Sequence, residues 1–304
     1  MQEDAAAKII LAGEHAVVYG VPSIAIPLPH LRVQVSSHSS DRFEIESQDT
    51  GEIVSLQQAS HPLIQAARHT ANHLNLELPS IRIVIASEIP IASGLGSGAA
   101  VTTAIVSLLY KYYGLATDYA NINRIVYSIE KLHHGTPSGI DNTVIVYEKP
   151  VYYVKGQEPQ LLTTAKPLYF VIANTGIAAA TQKTVAAVRE MYNSEADYVN
   201  AIMAEIRTLV DGIYTAIIAG DAATTGKLMT RNHQELKKLG VSVEKLDRLV
   251  DVAIDAGAYG AKLSGGGGGG NMIAITSPEN QKVVQNALQD AGATQTFTST
   301  LEPA

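Results

Sequence analysis

Glycines at positions 94, 96 and 98 sit in the segment Pro90-Ile-Ala-Ser-Gly-Leu-Gly-Ser-Gly-Ala-Ala100, directly before a stretch with helical spacing. Such a segment suits a phosphate, because glycine lets the backbone approach an anion and the first amides of a helix are free donors at its positive end. No lysine lies in it, which excludes a Walker A loop, and the spacing fits a dinucleotide fingerprint poorly. A tight strand-to-helix turn is the competing explanation. Six consecutive glycines, Gly265–Gly270, follow Ala261-Lys-Leu-Ser264 and precede the apolar Asn271–Ile275. They suit a ligand clamp or a tight packing point, against the alternative of a flexible loop. Glu130 and Asp141 lie eleven positions apart across the turn Gly135–Gly139. Two carboxylates so placed can converge, one to bind Mg2+ and the other to accept a proton, although solvated surface carboxylates show the same pattern. His69 and His73 share a helical face but lack the glutamate of a zinc-protease motif and any third ligand.

The elements that must position these residues follow from hydrophobic period. Leu31, Val33 and Val35 alternate before the serine-rich stretch Ser36–Ser40, and Phe43 and Ile45 alternate after it, which predicts an antiparallel pair. Helical spacing covers 61–74, strand spacing Ile81–Ile85. Two helices follow, through Val101–Tyr112 and Ile122–Leu132, then strands at Val144–Tyr147 and Val151–Val154. The polar, proline-containing stretch 156–167 is the expected boundary between domains 1–165 and 166–304. Beyond it, helices are expected over Val185–Met191, Tyr198–Ile218, Ala222–Leu239, Val243–Ala256 and near Val283–Leu288, with strands at Met272–Ile275 and Thr296–Phe297. No internal repeat is present.

Composition limits the partners. The 304 residues are 46% hydrophobic and 17% charged, which excludes a disordered chain, and the net charge of −7 argues against broad binding of nucleic acid. With no cysteine there is no disulfide, thiolate nucleophile or Cys-ligated zinc. Glu3 and Asp4 replace the basic start of a signal peptide, and no apolar run approaches the roughly 18 residues of a membrane span, so a cytoplasmic protein that does not enter the membrane is expected. The sequence does not select an oligomeric state, and a homodimer is compatible with it.

Four segments taken together resemble the GHMP small-molecule kinases. Ala7-Lys8-Ile-Ile-Leu-Ala-Gly-Glu14-His15-Ala-Val-Val-Tyr-Gly20 is similar to that family's first signature, Pro90–Ala100 to its second and Lys262-Leu-Ser-Gly265 with the following glycines to its third. His134-Gly-Thr-Pro-Ser-Gly-Ile-Asp141-Asn142 resembles the segment that carries the catalytic aspartate in the branch acting on mevalonate. The resemblance spans about residues 5 to 275. It implies a two-domain α+β fold with the active site in the cleft between an N-terminal mixed α/β domain and a helix-rich C-terminal domain. The implied activity is ATP-dependent phosphorylation of the primary hydroxyl of mevalonate, giving 5-phosphomevalonate and ADP for isoprenoid synthesis. Asp141 would be the general base, Lys8 its neighbouring cation, and Glu130 with Ser97 the Mg2+ ligands. Pro90, Gly94, Leu95, Gly96, Ser97, Gly98 and Ala99 would form the ATP phosphate loop, and Glu14, His15, Gly265, Gly266 and Gly267 the acceptor pocket. The alternatives are another kinase of the family, acting on phosphomevalonate, homoserine or a sugar, a mevalonate diphosphate decarboxylase of the same superfamily, or a ligand sensor on the same fold. The sequence departs from the family pattern at Ala6-Ala7, where Pro-Gly is usual, at Gly98 for a serine, at Ser264 for a threonine and at Gly266 for an alanine. Gly266 implies a looser loop that orders on substrate binding.

Overall fold

Apolar alternation builds the first strands and glycine punctuation sets the helix starts. The computed structural model describes residues 1–90, 93–134 and 137–303. Ile91 and Ala92 of the glycine segment, and Gly135 and Thr136 of the turn before Asp141, lie outside the described residues. The elements run β1 (Gln2–Ala12), a short 3-10 turn (Ala16–Tyr19), β2 (Ser23–Ser39), β3 (Glu44–Ser47), β4 (Glu52–Ser55), α1 (Pro62–Leu74), β5 (Ile81–Ser87), α2 (Ser97–Tyr112), α3 (Tyr119–His134), α4 (Ile140–Tyr147), β6 (Val151–Tyr153) and β7 (Gln160–Leu161). They continue as β8 (Leu168–Asn174), α5 (Thr181–Ser194), α6 (Ala196–Ala219), α7 (Ala222–Lys238), α8 (Glu244–Asp255), β9 (Gly260–Ser264), β10 (Asn271–Thr276), α9 (Gln281–Asp290) and β11 (Gln295–Leu301).

The chain divides into two units that interleave in sequence. The first comprises Met1–Lys8, Pro27–Ile91 and Gly96–Glu148; the second comprises Ile9–Ile26, Ala92–Leu95 and Lys149–Ala304.

In the first unit the C-terminal part of β2 pairs antiparallel with β5, from Val33↔Ser87 to Ser39↔Ile81. β5 pairs parallel with β3, and β3 antiparallel with β4. The expected antiparallel pairing across Ser36–Ser40 is therefore overturned. Those serines continue β2 rather than turning it, and the seven-residue β5 matches the exposed length that the four-residue β3 could not cover. Helices α1 to α4 pack on one another around Ala66, Val106, Tyr110, Ile122, Ile125, Val126, Ile129 and Val146, all buried. Each such aliphatic side chain contributes roughly 1.5–3 kcal/mol of burial.

Val144–Tyr147, expected as a strand, is the second half of α4. A short apolar run has no period of its own, and here Gly139, left-handed at φ 92°, opens a helix. Val144, Ile145 and Val146 are all buried, so the run is apolar because every side of it is covered.

In the second unit an antiparallel sheet of order β11-β8-β10-β9 carries α7, α8 and α9, and α6 packs on α7. The N-terminal part of β2 pairs with β6 from Ser23↔Tyr153 to Ala25↔Val151. The helices expected in this half all form, each within a few residues of its expected limits. No described helix is long and apolar enough to cross a membrane.

Candidate active site

β1 is buried without interruption from Ala5 to Ala12, and Lys8 is its one charged side chain there, 3% exposed. Its Nζ lies 3.0 Å from Oδ1 of Asp141, whose carboxylate is 38% exposed. Asp141 stands in the first turn of α4, where the helix dipole favours a negative charge. The Lys8 stem passes close to Gly96. A Cβ at that glycine would come within 3.0 Å of Lys8 Cγ and 2.9 Å of Ile145 Cδ1, and φ there is +81°. Gly96 thus has two reasons to be glycine, its backbone conformation and its nearness to the lysine.

Gly96 is also the N-cap of α2, and no side chain caps that helix. The amides of Ser97, Gly98 and Ala99 open the helix, as a phosphate site requires. A Cβ at Gly98 would meet nothing within 4 Å, so the helix start is open at that point. The donor set fits ATP phosphates. For Mg2+ the chemistry also fits, since Glu130, 8% exposed on α3, and the Ser97 hydroxyl offer hard oxygens. Among the described residues no group of three or more His, Asp or Glu side chains could hold a metal by itself. The remaining ligands must come from phosphate and water, as is usual for Mg2+. Pro90, partly buried, and the left-handed Gly94 lead into this turn, and Leu95 is a buried apolar side chain.

Gly98 has ordinary helical φ and open space, so Gly98→Ser should fold normally and gain about 0.5 kcal/mol from lower chain flexibility. If the lost hydroxyl is what weakens metal binding, the Mg2+ concentration for half-maximal activity falls several-fold in this variant. An unchanged value would show that Ser97 or water already supplies the ligand.

A second cluster forms within the other unit. The carboxylate of Glu14 pairs with Lys262 Nζ, both essentially fully buried. The same ammonium donates to Leu263 O at 2.6 Å. His15, 7% exposed, holds φ +58° and lies 2.9 Å from Gly266 O through Nε2. A carbonyl only accepts, so Nε2 carries the proton. Burial pushes the His15 pKa below its ordinary value, with the Gly266 bond opposing and the Lys262 charge assisting.

The glycine run is packed rather than loose. Gly268 N–H donates to Val241 O and Gly270 N–H to Ile177 O, both at 2.8 Å, while Gly270 O accepts from Thr175. A Cβ at Gly267 would strike Val241 O at 2.0 Å, and one at Gly266 would lie within 2.8 Å of the Thr181 side chain. The freedom expected of Gly266 is thus taken up by Thr181, which fills the space an alanine methyl would use. Gly265, at φ +86°, has open space above it.

Lys262 lies in the third motif without a role assigned by it, and His233 lies in no motif. A lysine inside the apolar run Ala261-Lys-Leu263 was the available signal, because a buried strand tolerates an ammonium only with a partner. His233 Nδ1 accepts from Leu263 N–H at 3.2 Å, and Nε2 lies 3.1 Å from Asp247 Oδ1. Burial lowers its pKa to about 4, with the Lys262 and Lys237 charges adding and Asp247 opposing. Between pH 6.5 and about 4 the unfolded chain therefore takes up a proton that the folded one refuses. Stability is full above 6.5 and declines by roughly 2–3 kcal/mol as pH falls through this window. Urea unfolding of wild type and His233→Gln across the window checks this; equal pH slopes would clear His233 of the effect. His69 bonds Ser128 Oγ and His73 bonds Asn121 Oδ1, so both are satisfied helix residues.

Matches to known proteins lie in both halves of the chain. Residues 61–149 match the family described as GHMP kinases N terminal domain, and residues 213–294 match GHMP kinases C terminal. Mevalonate kinase of Pyrococcus abyssi is 36% identical over 318 residues, covering 97% of this chain and 93% of that protein. The crystal structure of Methanococcus jannaschii mevalonate kinase aligns with a TM-score of 0.88 at 27% identity, over 100% of this chain and 98% of that one. L. major mevalonate kinase in complex with R-mevalonate aligns with a TM-score of 0.88 at 25% identity, over 100% and 96%. The chain belongs to the GHMP kinase family, with its two-domain mixed α+β fold, and is an ATP-dependent small-molecule kinase. Within that family it stands among the mevalonate kinases.

Proposed function

We propose that this kinase phosphorylates the 5-hydroxyl of mevalonate, with Asp141 as general base and Lys8 as the cation beside it. The observation that carries the residue assignment is the 3.0 Å Lys8–Asp141 pair, with the lysine stem running against Gly96 at the open start of α2. A base, a cation and a phosphate-binding helix end are thereby brought together within one unit. The substrate assignment is supported by the L. major relative, whose structure is a complex with R-mevalonate.

Bound Mg·ATP supplies the γ-phosphoryl group that passes to the hydroxyl and leaves ADP. Asp141 takes the hydroxyl proton as the oxygen attacks, through a carboxylate exposed enough to be reached. Lys8 steadies the charge that develops on the transferred group, and it is already oriented by its ion pair. The amides of Ser97, Gly98 and Ala99 would hold phosphate oxygens, and Glu130 with Ser97 would hold the Mg2+ that offsets their charge. Glu14, His15 and Gly265–Gly267 border the alcohol. The same reading makes the chain a cytoplasmic enzyme of isoprenoid synthesis.

The test incubates the purified protein with Mg·ATP and, separately, mevalonate, phosphomevalonate, homoserine and galactose, with products followed by mass spectrometry. Phosphorylated mevalonate without CO2 release is the expected result. Product from another acceptor alone would move the assignment to that acceptor, and no product at all despite ATP binding would favour a ligand sensor.

A further inference from the structure

Lys262 is 0% exposed at the centre of β9, and burying an ammonium carries a desolvation penalty that an apolar side chain would avoid. Stability alone is therefore a poor reason for it. Its contacts place it beside a strained turn. Glu14, its ion-pair partner, immediately precedes His15, a residue with a side chain held in the left-handed region at φ +58°. Such a conformation is unfavourable for a residue with a Cβ and persists only where the surroundings over-determine it. On the N-terminal side, Gly13 is also left-handed, at φ +89°, and a Cβ there would strike Pro22 O at 2.3 Å.

Three links tie β1 and that turn to β9 and the glycine loop that follows it. Lys262 holds Glu14, Ser264 Oγ donates to Ile10 O at 2.8 Å and accepts from Ile10 N–H at 3.2 Å, and His15 Nε2–H donates to Gly266 O at 2.9 Å. Leu263, whose carbonyl accepts a hydrogen bond from Lys262 Nζ and whose amide donates to His233 Nδ1, fixes the strand between them. The turn and the loop are one body, and the buried ammonium is its only charged pin on the strand side among the described residues.

We propose that Lys262 is a positioning residue, whose ion pair with Glu14 sets the His15 imidazole against Gly266 and thereby the shape of the pocket wall offered to the acceptor alcohol. This rests on the reading that His15 and Gly266 border mevalonate. Lys262 does not touch the substrate.

The experiment compares wild type, Glu14→Gln, Lys262→Met and the double variant. Lys262→Met alone strands a buried carboxylate and should unfold more readily, whereas the double variant removes both charges and recovers thermal stability. The double variant is expected to keep the KM for ATP within about twofold while the KM for mevalonate rises tenfold or more, and Glu14→Gln, which removes the same ion pair, is expected to approach it. A double variant whose mevalonate KM stays within about twofold of wild type overturns the proposal, leaving Lys262 as a structural counter-ion. The imidazole 1H–15N spectrum supplies a readout independent of turnover. In wild type, His15 should show a protected Nε2–H at neutral pH, and in the double variant that signal should shift and exchange faster. An unshifted signal overturns the proposal. If the double variant fails to fold, the wild-type spectrum decides, and an Nδ1–H or rapidly exchanging His15 overturns the proposal. A wild-type enzyme that ignores mevalonate removes the substrate assignment, while the spectra still judge the His15 lock.

Discussion

Asp141→Asn leaves a protein that folds and binds Mg·ATP but turns over roughly 10²–10⁴-fold more slowly, the usual worth of a positioned general base. The substitution is nearly isosteric. Its amide oxygen can still accept from Lys8 Nζ, now 3.0 Å from Oδ1, and asparagine is well tolerated near a helix start. What it cannot do is take the hydroxyl proton. Single-turnover kinetics with pre-bound ATP isolates that step from binding and release. Turnover within about threefold of wild type would remove Asp141 from the base role and leave Lys8 and the helix end to act on the phosphoryl group alone.

Lys8→Met should lower kcat by roughly 10²–10³ with the KM values for both substrates changed less than about fivefold, because the ammonium acts on charge that appears only in the transition state. The fold should survive this change. Methionine matches the stem that packs beside Gly96, and the carboxylate left behind is 38% exposed and stays hydrated, so no bare charge is buried. This contrasts with Lys262→Met, where the abandoned carboxylate has no access to water. Steady-state kinetics and thermal melts on the two lysine variants would separate them. A KM effect without a kcat effect would reassign Lys8 to uniform binding of substrate.

Much of the fold was legible because long periodic segments carry their own signal. The helices α1 to α3 and α5 to α9 follow from apolar spacing and from glycines such as Gly96 and Gly220 at their ends. What failed was decided by tertiary partners. Val144-Ile-Val146 reads the same as a buried strand or a buried helix, and only its coverage on all sides settles the matter. Pairing of β3 with β5 depends on a strand some forty residues away, which no local turn signal reveals. Lys8 and Asp141 were legible as members of two motifs, but their 3.0 Å meeting required β1 and α4 to be placed. The Lys262 and His233 contacts were least legible, since a lone lysine or histidine names no partner.

The interleaving of the two units sets a timetable for the chain as it leaves the ribosome. Glu14 is made early, yet its partner Lys262 lies 248 residues later. At about 5–20 residues per second, roughly 12–50 s pass before the two can meet. Until β6 and β8 are made, residues 9–26 belong to a unit whose other strands do not yet exist, and until β9 and β10 follow, the apolar stretch from Ile9 to Ala12 has no completed core to enter. A gene cut after residue 148 would therefore encode a first fragment that holds every residue of the first unit and a second fragment that lacks residues 9–26 of its own unit, which only the first fragment could supply.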